Sequence, residues 1–281
     1  MILVTSAAGN TGRVIVKQLV EAGLDVLATD INPKVKDLPG IKEAMVGDLT
    51  QLNFIDELMQ KADQVVYIPP LFSAEEALIG KRMADKAVEH DVAHFVFVSV
   101  IHPILTTLLQ HTAKRDVEEY LIYKGMSSDF SYTILQPMHY MHNFNPQAVA
   151  ESGAYSIFYN VDTKVGYVAT EDVAEVIASV LADPKKHNKA TYELVGTQPY
   201  SPNDLVSIFN QLTGNKATAT YMEVEAFLDM IHAEDLYFRE GFKQLAYSYS
   251  TWGLDGNSNV LALLLGHQPT SFEEYVKAHL A

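Results

Sequence analysis

The chain has 281 residues, of which 48% are hydrophobic and 20% are charged, as is ordinary for a globular protein that buries a sizeable core. It carries 35 acidic against 20 basic residues, and the resulting net charge of −15 argues against direct binding to the phosphates of DNA or RNA. Cysteine is absent, which excludes disulfides and thiolate nucleophiles. We expect a soluble, cytoplasmic protein without a membrane-spanning segment.

The first residues predict a strand, a tight turn and a helix. Residues 2–4 form a short apolar run, and apolar residues recur at helical spacing from position 11 onward. The first N–H groups of a helix lack intrahelical partners and attract anions, and glycines in the turn let a phosphate approach. A serine stands where such turns usually have their first glycine. This turn predicts a dinucleotide diphosphate site formed by Ser6, Gly9, Asn10, Thr11 and Gly12.

Asp30 ends the second apolar run and lies about 20 residues beyond the glycine turn, where a carboxylate binds both hydroxyls of an adenosine ribose. Such a carboxylate repels a 2′-phosphate, so the prediction is NAD rather than NADP, with Ile31 in the same site. Two alternatives stay open. Asp30 also fits the start of a turn, and Lys34 and Lys36 leave NADP possible.

Strands and helices alternate through residue 137. Strand-like runs cover residues 44–46, 64–68, 95–99 and 132–135, and the segments between them have helical spacing. Continuous apolar strands indicate a parallel sheet with helices on both faces, which predicts an α/β fold of the Rossmann type with a doubly wound parallel sheet. Ligands of such sheets bind at the carboxyl ends of the strands, which here are Ser6, Asp30, Asp48, Pro69, Ser99 and Gln136.

Beyond Pro137 the pattern predicts a smaller, mainly helical part. Short strands are expected at 165–168, 191–195 and 218–224, and helices begin at Thr170 and Ser201. We assign residues 1–150 to a dinucleotide-binding domain and residues 151–281 to a smaller substrate-binding part packed against it, with the chain interleaved.

Six segments stand in a recognisable order: residues 5–13 (TSAAGNTGR), 47–50 (GDLT), 95–99 (FVFVS), 114–121 (KRDVEEYL), 132–137 (YTILQP) and 265–272 (LGHQPTSF). Together they resemble the NmrA-like group of atypical short-chain dehydrogenases/reductases over nearly the whole chain. The resemblance implies that Asp48 and Leu49 lie against the adenine. It also implies that Ile68, Pro69 and Pro70 line the riboses and that Pro137 and Met138 border the nicotinamide. As alternatives, Asp48 is a simple loop residue and the prolines only end strands.

In the wider superfamily, a tyrosine and a lysine four residues later transfer the proton, and a serine orients the substrate. Ser99 matches that serine, and Lys114 matches the lysine, which also holds the nicotinamide ribose. The tyrosine position holds Gln110, which has no acid–base function at neutral pH. A literal Tyr-x-x-x-Lys occurs at Tyr120 and Lys124, at the far end of the helix. We interpret it as structural, with Tyr120 packed under the sheet and Lys124 capping the helix.

Loss of the tyrosine still permits reduction of a quinone, an azo bond or another conjugated acceptor, because water or a histidine can supply the proton. His102 and His139 are the candidate proton donors and, with Tyr140 and His142, the candidate substrate residues. Each histidine has a surface or packing role as its alternative. No spacing of ligands indicates a metal site.

The sequence therefore predicts an NAD(P)H-dependent oxidoreductase, preferring NADH, that reduces a small aromatic, quinone-like or azo acceptor and exists as a monomer or homodimer. The alternative is a non-catalytic NAD(P) sensor that acts through a protein partner, as Gln110 and the non-catalytic members of the resembled group suggest. A sugar-nucleotide epimerase-like enzyme is a third hypothesis, against which Gln110 argues because that chemistry needs the tyrosine base.

Overall fold

The computed structural model describes residues 1–280 and divides them into two compact units. Unit 1 comprises residues 1–106, 110–137 and 173–192, and unit 2 comprises 107–109, 138–172 and the chain from 193 onward. Residues 138–150, which the sequence assigned to the first domain, thus belong to unit 2, and residues 173–192 belong to unit 1.

In chain order the strands and helices are β1 (Ile2–Val4), α1 (Asn10–Glu21), β2 (Val26–Asp30), β3 (Glu43–Val46), α2 (Leu52–Met59), β4 (Gln64–Tyr67), α3 (Glu76–Glu89), β5 (His94–Val98), α4 (Leu109–Ser127), β6 (Tyr132–Pro137), α5 (Pro146–Ser152), β7 (Ala154–Ile157), α6 (Thr170–Ala182), α7 (Pro184–His187), β8 (Ala190–Leu194), α8 (Pro202–Thr213), β9 (Thr218–Tyr221), α9 (Val224–Met230), α10 (Leu236–Trp252), α11 (Asn259–Leu265) and α12 (Phe272–Leu280).

The main sheet has the strand order β3-β2-β1-β4-β5-β6-β8, and its first six strands pair in parallel. This confirms the predicted Rossmann-type, doubly wound α/β fold. The order reverses between β1 and β4, and ligands of such sheets bind in the crevice outside the strand ends at that reversal. The fold therefore directs attention to the residues that follow β1 and β4.

The strands of unit 1 are apolar because helices cover the sheet. All five residues of β5 are buried, and on one face its aromatic side chains join a core with α2, α3 and α4. Tyr67 and Phe97 stack there with ring centroids 5.6 Å apart, and Val117 of α4 packs on the same cluster. This continuous core holds the carboxyl ends of β4 and β5 in fixed positions.

Unit 2 departs from the sequence prediction in two places. Residues 165–168 were expected to form a strand, but they make only isolated bridges, such as the one between Val165 and Tyr200. Conversely, β7 pairs with β9 in a separate two-stranded parallel sheet, and neither β7 nor α5 stood out in the sequence. Within residues 1–280, no helix is at once long enough and apolar enough to cross a bilayer.

Candidate functional site

The turn between β1 and α1 leaves no room for a side chain at position 12. A Cβ added to Gly12 would lie 2.2 Å from the carbonyl oxygen of Ser6 and 2.7 Å from the Cα of Ala7, both backbone atoms. Gly9 is the N-cap residue of α1 and has no side chain to satisfy the first N–H groups of the helix. The uncapped N-terminus of a 12-residue helix at the sheet reversal has the geometry that binds a phosphate.

Ser6 stands where such turns usually have their first glycine. Its backbone conformation is unfavourable for a residue with a side chain, but its hydroxyl makes a hydrogen bond that a glycine could not. Its φ of +48° lies in the left-handed region, which disfavours side chains. Its hydroxyl donates to the carbonyl of Ile68 at 2.9 Å, and the hydroxyl of Thr5 donates to the same oxygen at 2.8 Å. The two hydroxyls therefore tie the turn after β1 to the end of β4.

Asp30 joins the end of β2 to the same turn. Its Oδ2 accepts the N–H of Ala8 and its Oδ1 accepts the N–H of Asn32, each at 2.9 Å. The carboxylate thus performs the turn function that was one of the two alternatives. Each oxygen keeps acceptor capacity, so the ribose function remains a prediction.

A cavity of about 150 Å³ lies at the carboxyl ends of the first four strands. It brings together six residues predicted for the cofactor: Ser6, Asp30, Ile31, Asp48, Leu49 and Pro70. Sequence reasoning missed the other five lining residues: Thr29, Gly47, Thr50, Ser73 and Ile79. Gly47 and Thr50 are the first and last residues of the segment 47–50 that pointed to Asp48, and Asp48 accepts the N–H of Thr50 at 2.8 Å.

Helix α4 carries three buried polar residues at intervals of four. Gln110, Lys114 and Glu118 are 6%, 7% and 9% exposed, and positions i, i+4 and i+8 lie on one face of a helix. Buried polar groups need partners, so this polar stripe, Gln110–Lys114–Glu118, identifies a specialised region of unit 1.

Glu118 binds the ends of β5 and β6. The hydroxyl of Ser99 donates to Glu118 Oε1 at 2.5 Å, and the amide of Gln136 donates to both carboxylate oxygens at 2.9 and 3.0 Å. Burial raises the pKa of Glu118, while the bonds from Ser99 and Gln136 favour its ionised form. The single hydroxyl proton of Ser99 is engaged in this hydrogen bond. In its predicted contact with substrate, Ser99 would therefore use the hydroxyl oxygen as an acceptor.

Lys114 forms a buried ion pair with Glu76 in the first turn of α3. Lys114 Nζ lies 2.6 Å from Glu76 Oε1, and Glu76 is 1% exposed. Burial raises the pKa of Glu76, and the charge of Lys114 opposes that rise. Two buried oxygens, Glu76 Oε2 and Gln110 Oε1, have no hydrogen-bond partner within residues 1–280. No sequence pattern pointed to Glu76, because an acidic residue in the first turn of a helix is commonplace.

His102 and His111 meet in unit 1. The Nδ1 of His111 lies 3.0 Å from the carbonyl oxygen of His102, and His102 has a φ of +50°. Burial lowers the pKa of His111 to about 4, so this ring is neutral at pH 7 and donates from Nδ1. The left-handed backbone of His102 is compatible with its predicted function, since strained residues often lie at functional sites.

The predicted histidines after β6 lie in unit 2. His139 Nε2 accepts the side-chain amide of Asn143 at 3.0 Å, and burial followed by the nearby charge of His142 lowers its pKa to about 4. His142 Nδ1 lies 2.9 Å from Thr170 Oγ1, and its ring stacks on Tyr140 with centroids 5.1 Å apart. A neutral His139 whose Nε2 acts as an acceptor is poorly prepared to donate a proton at pH 7.

Pro137 and Met138, the residues predicted to border the nicotinamide, lie at the end of β6. Pro137 is the last residue of the strand, and Met138 is buried and donates its N–H to Leu194. Ile68 and Pro69 are buried directly after β4. Their contact with a cofactor remains a prediction.

The literal Tyr-x-x-x-Lys at Tyr120 and Lys124 links α4 to α3. Tyr120 donates its hydroxyl to Asp85 of α3 at 2.7 Å, and Lys124 pairs with the same carboxylate at 2.6 Å. Tyr120 packs on the core beneath the sheet, as expected. The expectation that Lys124 caps α4 is wrong, because its ammonium reaches across to Asp85 of α3. The structure describes no group of three metal-ligating side chains among residues 1–280.

Comparisons with known proteins identify the family of this chain. The chain matches the NmrA-like family over residues 1–276. It is 24% identical over 254 residues to the photosystem II assembly factor Ycf39 of Cyanophora paradoxa, a match that covers 86% of this chain and 77% of that protein.

Two solved reductases share the fold. An NADPH-dependent quinone oxidoreductase from Escherichia coli, complexed with NADPH, is 21% identical with a TM-score of 0.78 and full coverage of both chains, at 100% each. A triphenylmethane reductase from Citrobacter sp., complexed with NADP(H), is 21% identical with a TM-score of 0.79 and covers 99% of this chain and 100% of that one. Because the family match covers nearly the whole chain, this protein belongs to the NmrA-like family.

Proposed function

We propose that this protein is an NAD(P)H-dependent oxidoreductase that reduces a small aromatic, quinone-like or azo acceptor by hydride transfer. One observation carries the proposal: the cavity at the carboxyl ends of β1, β2, β3 and β4 is lined by Ser6, which belongs to the turn that leads into the uncapped N-terminus of α1. That arrangement fits an adenosine diphosphate moiety. The two reductases of the same fold support a redox function.

The proposed cofactor is NADP(H), in place of the NAD preference expected from Asp30. Both carboxylate oxygens of Asp30 already accept backbone N–H groups, which offsets the negative charge that would repel a 2′-phosphate. Lys34 and Lys36 follow on the exposed side of the same loop. The two reductases were solved with NADPH or NADP(H). Tighter binding of NADH than of NADPH would restore the NAD preference.

The residues of this chain suit acceptors that need little acid catalysis. When bound, a reduced nicotinamide supplies the hydride. Lys114 has three N–H donors, of which Glu76 takes one, so two are available to hold a ribose. Gln110 offers no acidic proton, and His111 and His139 are neutral at pH 7. Quinones and cationic dyes accept a hydride readily, and water can deliver the proton that a quinone also takes up.

The test is loss of NADPH absorbance on mixing the purified protein with quinones, azo dyes and triphenylmethane dyes, with NADPH binding measured in parallel. Turnover of any acceptor, reduced at least tenfold in Lys114→Met, supports the enzyme. As a control, Lys61→Met removes a lysine that pairs with Glu43 on the surface and should leave turnover unchanged.

The alternative, a dinucleotide sensor without turnover, is favoured by one observation. Carboxylates engage both Lys114 and Ser99, the two side chains expected to act on cofactor and substrate. The match to an assembly factor is compatible with a function exerted through a protein partner. Tight NADPH binding without turnover across the whole panel would replace the enzyme by the sensor.

A further inference from the structure

The ion pair between Glu76 and Lys114 leaves polar capacity unused in a place that excludes water. Glu76 Oε2 has no partner among the residues that the structure describes, although the side chain is 1% exposed. A buried acceptor without a donor is destabilising, so native proteins keep such atoms rarely, and a ligand that supplies the missing donor is one explanation for them.

Lys114 Nζ and Glu76 Oε2 together present both kinds of hydrogen-bonding group. The ammonium has two N–H donors beyond the one given to Glu76, and Oε2 is an acceptor on the same carboxylate. A vicinal diol is complementary to this pair, because each hydroxyl both donates and accepts. A phosphate or a carboxylate is not, because it has no proton for Oε2.

We infer that Glu76 is a cofactor-binding residue that accepts a hydroxyl of the nicotinamide ribose through Oε2 while Oε1 positions the ammonium of Lys114. This inference rests on the proposed NADP(H) cofactor. For the nicotinamide ribose the sequence predicted one protein group, the donor Lys114. Glu76 Oε2 adds a hydrogen-bond acceptor to that subsite. Gln110 Oε1 is a second unpartnered acceptor on the polar stripe and would serve the same end of the cofactor.

The experiment compares two ligands that share the adenosine end. NADPH reaches the ribose subsite, whereas adenosine 2′,5′-bisphosphate carries no nicotinamide ribose. In Glu76→Gln we expect the dissociation constant of NADPH to rise about tenfold or more, since a hydrogen bond to a charged group is lost. The constant for adenosine 2′,5′-bisphosphate should stay within about twofold, and Glu89→Gln, at the exposed end of the same helix, should change neither.

A double variant keeps the test decisive if the single variant folds poorly. Glu76→Gln leaves the buried ammonium of Lys114 without its carboxylate, which is a destabilising arrangement. Glu76→Gln with Lys114→Met removes both charges, and it should bind the bisphosphate normally and NADPH more weakly than Lys114→Met alone does. Equal NADPH binding by the double variant and by Lys114→Met would overturn the contact of Glu76 with the ribose.

One further measurement tests the ribose contact directly, and two outcomes of the binding experiment separate this inference from the proposed function. An NADPH analogue that lacks a hydroxyl on the nicotinamide ribose should bind wild type weakly and lose no further affinity in Glu76→Gln. Unchanged NADPH affinity in Glu76→Gln, or equal loss of both ligands, overturns the ribose contact while leaving the cofactor in place. Failure of wild type to bind either ligand overturns the proposed function, and the inference falls with it.

Discussion

At the scale of single residues, Ser6 combines an unfavourable backbone with a favourable side chain, and the two effects are separable. Ser6→Gly relieves the left-handed φ but loses the bond to Ile68, whereas Ser6→Ala loses the bond and keeps the φ. We expect Ser6→Ala to be less stable than Ser6→Gly by about 1 kcal/mol, which chemical denaturation measures. Equal stability of the two variants would show that the φ of Ser6 is not strained.

Gly12 is the residue on which the proposed phosphate turn depends most. Gly12→Ala would place a methyl group 2.2 Å from the backbone oxygen of Ser6, so the turn or the helix must move. We expect a loss of about 2 kcal/mol or more in the free energy of unfolding and at least tenfold weaker NADPH binding. Gly9→Ala is the control for stability. Its Cβ would lie 3.2 Å from the same oxygen, so we expect a smaller loss in the free energy of unfolding than for Gly12→Ala. Equal losses in the two variants would contradict the packing argument.

Sequence identified the turn and six of the eleven residues that line the cavity. In the buried polar cluster it identified Ser99, Lys114 and Gln110, but not their contacts with Glu76 and Glu118. Ser6, Gly12 and Asp30 act through the backbone and stand at fixed spacings from β1, so local pattern locates them. Glu76 lies 38 positions from Lys114 in the chain, and only the packing of α3 against α4 brings them together. Gln136 was predicted because it lies at the carboxyl end of a strand, but its hydrogen bond with Glu118 is visible only in the folded structure.

At the scale of elements, His94 links β5 to β6 through its side chain. Its Nδ1 lies 2.7 Å from Ser131 Oγ and its Nε2 lies 2.9 Å from Thr133 Oγ1, and it is fully buried. Burial and then the charge of His187 lower its pKa to about 4. A histidine whose folded pKa is lowered is protonated more readily in the unfolded chain, so stability falls as pH drops from 6.5 towards 4.

Replacing His94 by glutamine tests that contribution. His94→Gln keeps a donor and an acceptor but does not titrate. Its free energy of unfolding should therefore fall less than that of wild type between pH 6.5 and 4, by about 3 kcal/mol for a shift of this size. The comparison uses urea unfolding at both pH values, and the two proteins should show equal pH dependence between pH 7.5 and 9. Parallel curves below pH 6.5 would rule out His94 as a source of acid sensitivity.

The sequence predicted strands correctly where both faces of a strand are covered by other elements. The six parallel strands of unit 1 were all expected, and their apolar residues are buried except in β3, which has no buried residue. Residues 165–168 look equally apolar but make only isolated bridges, and the partners in these bridges lie on three separate segments of the chain, at Tyr140, Tyr200 and Leu254. The strand β7, Ala154–Ile157, buries Tyr155 and Ile157 and exposes Ser156 between them, so it lacks the continuous apolar run that identified strands of unit 1.

At the scale of the whole molecule, the net charge of −15 should weaken the folded state through repulsion between carboxylates. Raising NaCl from 10 to 100 mM shortens the screening length from about 30 Å to about 10 Å, so long-range repulsion is removed while contacts persist. Surface ion pairs such as Lys61–Glu43 and Arg239–Asp229 weaken with salt, but each contributes at most about 1 kcal/mol.

The excess of carboxylates should win this balance, so we expect the melting temperature of the ligand-free protein to rise by about 2 °C over that salt range. The matched variant replaces the exposed Glu57, Glu119 and Glu151 by glutamine, which removes three negative charges without opening the core. Its melting temperature should be higher than that of wild type at 10 mM and should rise less with salt. A fall with salt in both proteins would mean that surface ion pairs, rather than net charge, dominate the electrostatic stability of this chain.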